Sequence, residues 1–265
     1  MLAKTLHGVL AFAVGVAGTA ALAQVPNPCG LVSVGARVYG SAYKANVPYS
    51  ATVLTTHELK LADGNAIHGS VTTHQARDSA GRTRSEVTSG CVTGPDGKLE
   101  PLVRVSVYDP ATRTTLSWAV NDPNVKVVSV MHQPEPALVA PPTPAARQQQ
   151  MAQARQQRQQ NQFRNENMGS RNIAGVTTDG TRTTHTVPAG EIGNDQPMEI
   201  VDEIWIAKDL GLAMLAVNDS PTNGRTTTEV MELNQAEPDA ALFAAPAGYK
   251  VVEQVMKSVS SAGSQ

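Results

Sequence analysis

The sequence predicts a mainly β protein with minor α structure, built as one antiparallel domain of about 10–11 strands. Segments rich in Thr, Val, Leu and Ile recur along the chain, and residues typical of turns separate them at hairpin spacing. Short strands joined by tight turns pair in the antiparallel direction. One stretch without apolar periodicity divides the strands into two sets.

The first set contains six predicted strands and the second contains five. A turn at Ala62–Asn65 is expected to pair Ala62 with Asn65, and a second turn is expected at Asp179-Gly180. The predicted strands are Pro48–Leu61, Ile67–Gln75, Arg82–Thr88, Leu102–Tyr108, Thr114–Val120, Val125–Met131, Asn172–Thr178, Thr181–Val187, Met198–Ala207, Leu212–Asn218 and Thr226–Leu233.

The N-terminus has the form of a secretory signal peptide. Lys4 precedes an apolar run of about 14 residues, which ends in Ala21-Leu22-Ala23, a pattern that signal peptidase accepts. The run is shorter than the roughly 20 residues of a membrane-spanning helix, and no later segment is apolar enough to span. We therefore expect residues 1–23 to be removed and the mature chain to be exported, to the periplasm or outside the cell.

Residues 132–170 form a Pro-, Gln- and Arg-rich insert between the two halves of the domain, 24–131 and 171–250. The insert has five prolines from Pro134 to Pro144 and few apolar residues from Gln148 to Asn167, so we expect disorder. The alternative is a polar surface helix over Ala145–Phe163, because Gln, Ala and Arg tolerate helix. The tail 251–265 is expected to be flexible.

Two cysteines, Cys29 and Cys91, remain in the expected mature chain. In an oxidising compartment an even pair favours one disulfide, and the alternative is a pair of reactive thiols. No Cys-x-x-Cys motif supports redox catalysis.

Catalytic signatures are absent from the sequence. It has no His-Glu-x-x-His, Gly-x-Ser-x-Gly, phosphate-loop or dinucleotide-binding motif, so we expect neither an enzyme nor a cofactor. With 17% charged residues, a net charge of −2 and no basic stripe, nucleic acid is not expected as a partner. Trp118 and Trp205 are expected in the core.

Three histidines give the only candidate metal site. If Ala62 pairs with Asn65, then His57, His68 and His74 share one sheet face. Zinc needs three or four ligands, and a register slip of one residue would separate this group. We therefore favour polar residues on a solvated face over a metal site.

Several strings resemble those of uncharacterised exported proteins of soil bacteria, over nearly the whole expected mature chain. They are Pro48–Ala51, Leu61–Asn65, Arg77–Arg84 and Gly190–Pro197. The ending Glu237–Tyr249 resembles the close of the periplasmic superfamily of outer-membrane lipoprotein carriers, which includes a sigma-factor regulator. This distant resemblance implies a curved antiparallel sheet or half-barrel, whose apolar concavity receives an acyl chain or a partner protein.

The ending also has a reading from its own residues. Pro238 is expected to start a short helical turn that inserts Leu242 and Phe243 into the apolar sheet face, and Pro246 and Gly248 would end the turn.

Two functions remain open. The first is a non-enzymatic envelope protein that binds a lipid, a lipopeptide or an envelope protein on the concave side of its sheet, which requires an exposed apolar pocket. The second is a structural or signalling module that contacts a protein partner through the Gln/Arg-rich insert.

Overall fold

The residues that the structure describes form one open sheet of twelve strands, with one α-helix and one 3₁₀ turn. The computed structural model describes residues 46–120, 122, 125–134, 143–160 (backbone only in 154–160) and 163–254. The elements are β1 Tyr49–Lys60, β2 Ala66–Arg77, β3 Thr83–Thr93, β4 Leu99–Asp109, β5 Thr114–Ala119, β6 Val127–His132, α1 Pro144–Gln160, β7 Phe163–Ile173, β8 Val176–Val187, β9 Met198–Ala207, β10 Leu212–Ser220, β11 Gly224–Asn234, the 3₁₀ turn Ala240–Phe243 and β12 Lys250–Gln254.

The strand order is β12-β6-β5-β4-β3-β2-β1-β11-β10-β9-β8-β7, so β1 joins the two halves of the chain by pairing with both β2 and β11. Every neighbouring pair is antiparallel except β12 with β6. The predicted mainly β, antiparallel fold is therefore confirmed. In the described part of the chain, no helix is long and apolar enough to cross a membrane.

The predicted flexible tail begins in an ordered strand. β12 pairs with β6 in register from Lys250 opposite Val127 to Gln254 opposite Met131. Just before it, the hydroxyl of Tyr249 donates to the carbonyl oxygen of Ala119 at 2.9 Å. These bonds explain why the expectation of flexibility is wrong for residues 251–254, while residues 255–265 lie outside the described chain.

The insert is also more ordered than predicted. α1 follows the alternative prediction of a polar helix, and the hydroxyl of Thr143 caps it by accepting from the backbone N–H of Ala146 at 3.2 Å. β7 follows, and it pairs with β8 from Phe163 opposite His185 to Ile173 opposite Val176. Backbone pairing supplies the stability that the apolar pattern does not, so disorder over all of 132–170 is wrong.

The β7–β8 turn lies five residues earlier than predicted. Ala174 and Gly175 both have positive φ, 47° and 84°, as a two-residue turn between twisted strands requires. Asp179 and Gly180, the predicted turn, instead lie inside β8. Gly180 faces Trp205 across the β8–β9 pair, where an added Cβ would come within 2.7 Å of the indole ring. Glycine is needed there for space and not for a turn.

The two sides of the sheet have separate apolar clusters. We call the side that carries Thr52, His74 and Ala76 the front face, and the side that carries Ala51 and Val53 the rear face. One cluster centres on β1, β10 and β11 and includes Tyr49, Ala51, Val53, Leu210, Leu212, Met214 and Val230. The other covers the front of β4–β6 with Ala76, Val105, Val107, Trp118 and Val128, and Phe243 from the 3₁₀ turn packs on it.

Both tryptophans are core residues, as predicted. Trp118 belongs to the front cluster, and Trp205 is 4% exposed beneath the guanidinium of Arg171, whose Cζ lies 3.8 Å from the ring centroid.

Candidate functional site

The candidate site is a cavity of about 340 Å³ on the front face, where the first half of the chain meets the last strands. Two rows of cross-strand neighbours on β11, β1, β2 and β3 form the floor of this cavity. The rows are Asn234-Ser50-Ala76-Arg84 and Glu232-Thr52-His74-Glu86. Leu242 of the 3₁₀ turn forms one wall.

Each row changes from polar to apolar as it crosses the sheet. Beyond Arg84 the first row continues into Val107 and Leu116, and beyond Glu86 the second continues into Val105 and Trp118. The cavity lies on the polar side of this boundary, and the 3₁₀ turn lies over the apolar side. The site therefore offers polar groups and an apolar wall to the same ligand.

The 3₁₀ turn is held at this boundary by its cap and by Arg84. The Asp239 carboxylate accepts from the backbone N–H of Ala241 at 2.9 Å, and Arg84 donates to the carbonyl oxygen of Leu242 at 2.9 Å. Phe243 is 4% exposed, whereas Leu242 is 39% exposed. The prediction that both residues insert into the sheet is correct for Phe243 only, because successive residues of a 3₁₀ turn project about 120° apart.

The polar groups of the cavity are arranged in two hydrogen-bonded sets. Arg84 donates to Glu86 at 2.6 Å, which neutralises both charges. The Thr52 hydroxyl lies 3.2 Å from a Glu232 carboxylate oxygen, to which it donates, and 3.4 Å from Nδ1 of His74. Glu232 and His74 are both exposed and retain free acceptor or donor capacity for a ligand.

The order of these groups suits binding better than nucleophilic catalysis. In a catalytic triad the imidazole lies between the carboxylate and the hydroxyl, so that it removes the hydroxyl proton. Here the Thr52 hydroxyl lies between Glu232 and His74 and gives its single proton to the carboxylate. The imidazole is therefore not placed to activate Thr52 against a substrate.

The three candidate histidines do not share a face. His68 lies opposite Glu58, and His57 lies opposite Gly69, one residue away from the register that the sequence predicted. His68 and His74 face the front, whereas His57 faces the rear and contacts the Thr226 hydroxyl at 3.1 Å. Among the described residues, no group of three His, Cys, Asp or Glu side chains could hold a metal ion.

Cys91 lies in β3 opposite Pro101. Its expected partner Cys29 and the expected signal peptide 1–23 lie outside the described residues. The disulfide and the export of the chain therefore stay predictions.

A second charged cluster lies on the same face at the β8–β9 end. Arg182 donates to Glu203 at 2.9 Å, and Nε1 of Trp205 donates to the other oxygen of that carboxylate at 2.6 Å. The Trp205 hydrogen bond and the Arg182 guanidinium hold the pKa of Glu203 below its ordinary value, against the opposing effect of desolvation. These groups satisfy one another and support the sheet.

Sequence patterns named two residues of the cavity, His74 as a candidate metal ligand and Leu242 in a helical turn, but did not bring them together. Glu232 lies 180 positions from Thr52, and only the β1–β11 pairing brings them together. For the wall of the cavity, the available signal was the Leu242-Phe243 pair between Pro238 and Pro246, which marked the turn.

Neither a protein-family model nor a curated protein matches the chain. Solved structures show a distant similarity. The MucB of the Pseudomonas aeruginosa MucA/MucB complex is 14% identical, with 77% of this chain covering 58% of that chain at a TM-score of 0.36. The chain thus spans less than two thirds of the length of MucB.

Two further similar structures carry lipoprotein names. Mycobacterium tuberculosis lipoprotein LppX is 12% identical, with 72% of this chain and 89% of that chain covered and a TM-score of 0.27. A putative outer-membrane lipoprotein-sorting domain from Vibrio parahaemolyticus is 8% identical, with 76% and 90% covered and a TM-score of 0.23.

Proposed function

We propose that this chain is a non-enzymatic binding protein of the cell envelope, which holds an apolar ligand or a lipidated partner on the front face of its sheet. The observation that carries the proposal is the cavity at the polar–apolar boundary beside Leu242. Its volume lies at the lower end of the roughly 300–1,000 Å³ of small-molecule sites. The envelope location rests on the expected signal peptide.

The ligand that fits this site has both an apolar part and a polar group. The apolar part contacts Leu242 and Ala76, which line the cavity. The polar group lies against Glu232 and His74, which are exposed and close to each other through Thr52. A fatty acyl chain bearing an amide or amine, as in a lipopeptide, has this combination.

The proposal is tested by native mass spectrometry of the chain purified from its own envelope, with lipid analysis of whatever accompanies it. We expect a stoichiometric acyl-chain adduct. Leu242→Trp should reduce the adduct by narrowing the cavity, whereas Leu99→Trp, at a site that is 66% exposed in β4, should retain it. A bare mass of the wild-type chain after incubation with added lipids and lipopeptides would contradict the proposal. The two variants are compared with each other only if both melt like wild type.

A second candidate is a module that contacts a protein partner through α1. The observation that favours it is the surface of this helix: from Pro144 to Gln153 only Ala146 is even partly buried, and the residues are chiefly Gln, Ala and Arg. A photo-crosslinking residue placed at Met151, which is 61% exposed, tests this function in living cells. One defined protein adduct at Met151, with none at Leu99, would support it, whereas equal labelling at both sites would count against it.

A further inference from the structure

Among the described residues, one edge of the sheet is long and has no neighbouring strand. β7 spans 11 residues, pairs with β8 on one side, and is the last strand in the sheet order of the described chain. Its outer side presents a row of backbone N–H and C=O groups, and such an edge pairs readily with another strand. Most of its side chains are exposed, including those of Arg164, Asn165 and Arg171.

A bulge gives this edge an unusual side-chain pattern. The β7–β8 register shifts between Asn167 and Gly169, so Met168 has no partner on β8. Glu166 lies opposite Arg182, and Arg171 lies opposite Thr178. Arg182 and Thr178 are four residues apart on β8 and share a face, so Glu166 and Arg171 share that face as well. In a regular strand, residues five positions apart lie on opposite faces, and the bulge removes this difference.

We propose that two copies of the chain join through antiparallel pairing of β7 with β7, about a twofold axis between Met168 and Gly169. Glu166 then lies opposite Arg171 of the second copy, and Arg171 lies opposite its Glu166. Arg164 lies opposite Ile173, and Asn165 lies opposite Asn172. This association goes beyond ligand binding and involves a different part of the sheet.

The charges of β7 select this register from its neighbours. A slip by two residues in one direction places Arg164 opposite Arg171 of the second copy, which brings like charges together on one face. The same slip in the other direction places Glu166 opposite Ile173, so both pairs of opposite charge are lost. A slip by one residue places Arg171 opposite Asn165, and these two residues lie on different faces of the strand. A register centred on Asn165 pairs Arg164 with Glu166 but uses only half of the strand. The proposed register alone among these combines full length, matched faces and opposite charges.

Glu166 is available for a partner of opposite charge. Its carboxylate oxygens lie 3.9 Å from Nε of Arg164 and 3.9 Å from a guanidinium nitrogen of Arg182, which are long contacts, and its side chain is 41% exposed. Arg171 is held on the same face by stacking on Trp205. Because Trp205 lies on β9, this stack directs the guanidinium inward over the sheet, so Arg171 leaves the indole when it pairs with Glu166 of the second copy.

The test is sedimentation velocity of wild type, Glu166→Arg and Arg171→Glu over a range of concentrations. Each variant replaces two attractive pairs by two repulsive pairs, so we expect the dimer dissociation constant to rise about tenfold or more. An equimolar mixture of the two variants restores both attractive pairs and should recover the dimer. Glu229→Arg and Arg104→Glu make the same charge changes on exposed sites of β11 and β4, and should dimerise like wild type.

The mixing experiment separates pairing from a loss of folding, because neither variant can rescue the other if each is merely misfolded. A wild-type chain that stays monomeric at every concentration would overturn the proposal, and so would a mixture that associates no better than the separate variants. Ligand adducts are measured independently, so failure of the dimer leaves the cavity proposal standing.

Discussion

Phe243 should be among the most costly side chains to truncate, although it lies in a turn of four residues. It is 4% exposed and packs on the front cluster beside Val105, Val107 and Trp118. The Arg82 guanidinium lies over its ring, with Cζ 5.0 Å from the centroid. Phe243→Ala removes the ring from both contacts at once.

The expected loss follows from the size of the cavity left behind. Replacing a buried Phe by Ala costs about 3–5 kcal/mol, and the cation–π contact with the guanidinium is worth roughly 0.5–1 kcal/mol. We expect the free energy of unfolding to fall by about 4 kcal/mol, which lowers Tm by roughly 8–16 °C at 2–4 °C per kcal/mol. Leu242→Ala is the matched control and should cost less than about 1 kcal/mol, because Leu242 is 39% exposed.

Urea unfolding with tryptophan fluorescence and circular dichroism measures both variants. Trp118 reports the cluster beneath Phe243, and Trp205 reports the far end of the sheet. Equal costs for Phe243→Ala and Leu242→Ala would refute the assignment of the turn as a cover of the core.

Two other substitutions test the β8–β9 end of the front face. The pKa of Glu203 is lowered in the folded chain because Trp205 and Arg182 stabilise its carboxylate. The carboxylate therefore stabilises the fold above its unfolded pKa of about 4.5, and this stabilisation disappears as the pH falls through the folded pKa. Urea midpoints from pH 7 to pH 3 should therefore decline more steeply for wild type than for Glu203→Gln, and parallel curves would count against this linkage. Gly180→Ala places a Cβ within 2.7 Å of the Trp205 ring and should lower the free energy of unfolding by about 1–3 kcal/mol in the same assay. The control Thr181→Ala, at an exposed site on the other face, should be nearly neutral. Similar urea midpoints for the two variants would show that the indole moves aside freely.

The sequence predicted most of the strands but not their register, and it did not predict β12 or most of β7. The pattern predicted Met198–Ala207 with both bounds correct, since apolar residues and turn residues mark that strand clearly. The β1–β2 turn was predicted with two central residues. It has three, because the N–H of Leu61 donates to the Asn65 carbonyl oxygen at 2.8 Å and residues 62–64 lie between them. Gly64, with φ of 85°, takes the left-handed position that ends such a turn. This one additional turn residue shifts the register by one, so His57 and His68 lie on opposite faces and the predicted cluster does not form.

β7 shows a second limit of sequence patterns. Its residues include Arg164, Asn165, Glu166 and Asn167, and neither apolar alternation nor β-branched residues mark it as a strand. It forms because β8 offers a complete row of backbone partners. A sequence that contributes so little burial is identified as a strand only when its neighbour is known, which is why the insert was expected to be disordered.

The 3₁₀ turn links the stability of the sheet to its candidate function. Phe243 closes the apolar half of the front face, while Leu242, the preceding residue, walls the cavity, and Arg84 bonds to the carbonyl between them. A ligand that contacts Leu242 therefore contacts the segment that covers the core. Because a ligand that binds only the folded chain stabilises it by RT ln(1 + [L]/Kd), about 2.7 kcal/mol at a hundredfold excess over Kd, acyl ligands should raise Tm. The same rise in Leu242→Trp as in wild type would place the ligand elsewhere on the sheet.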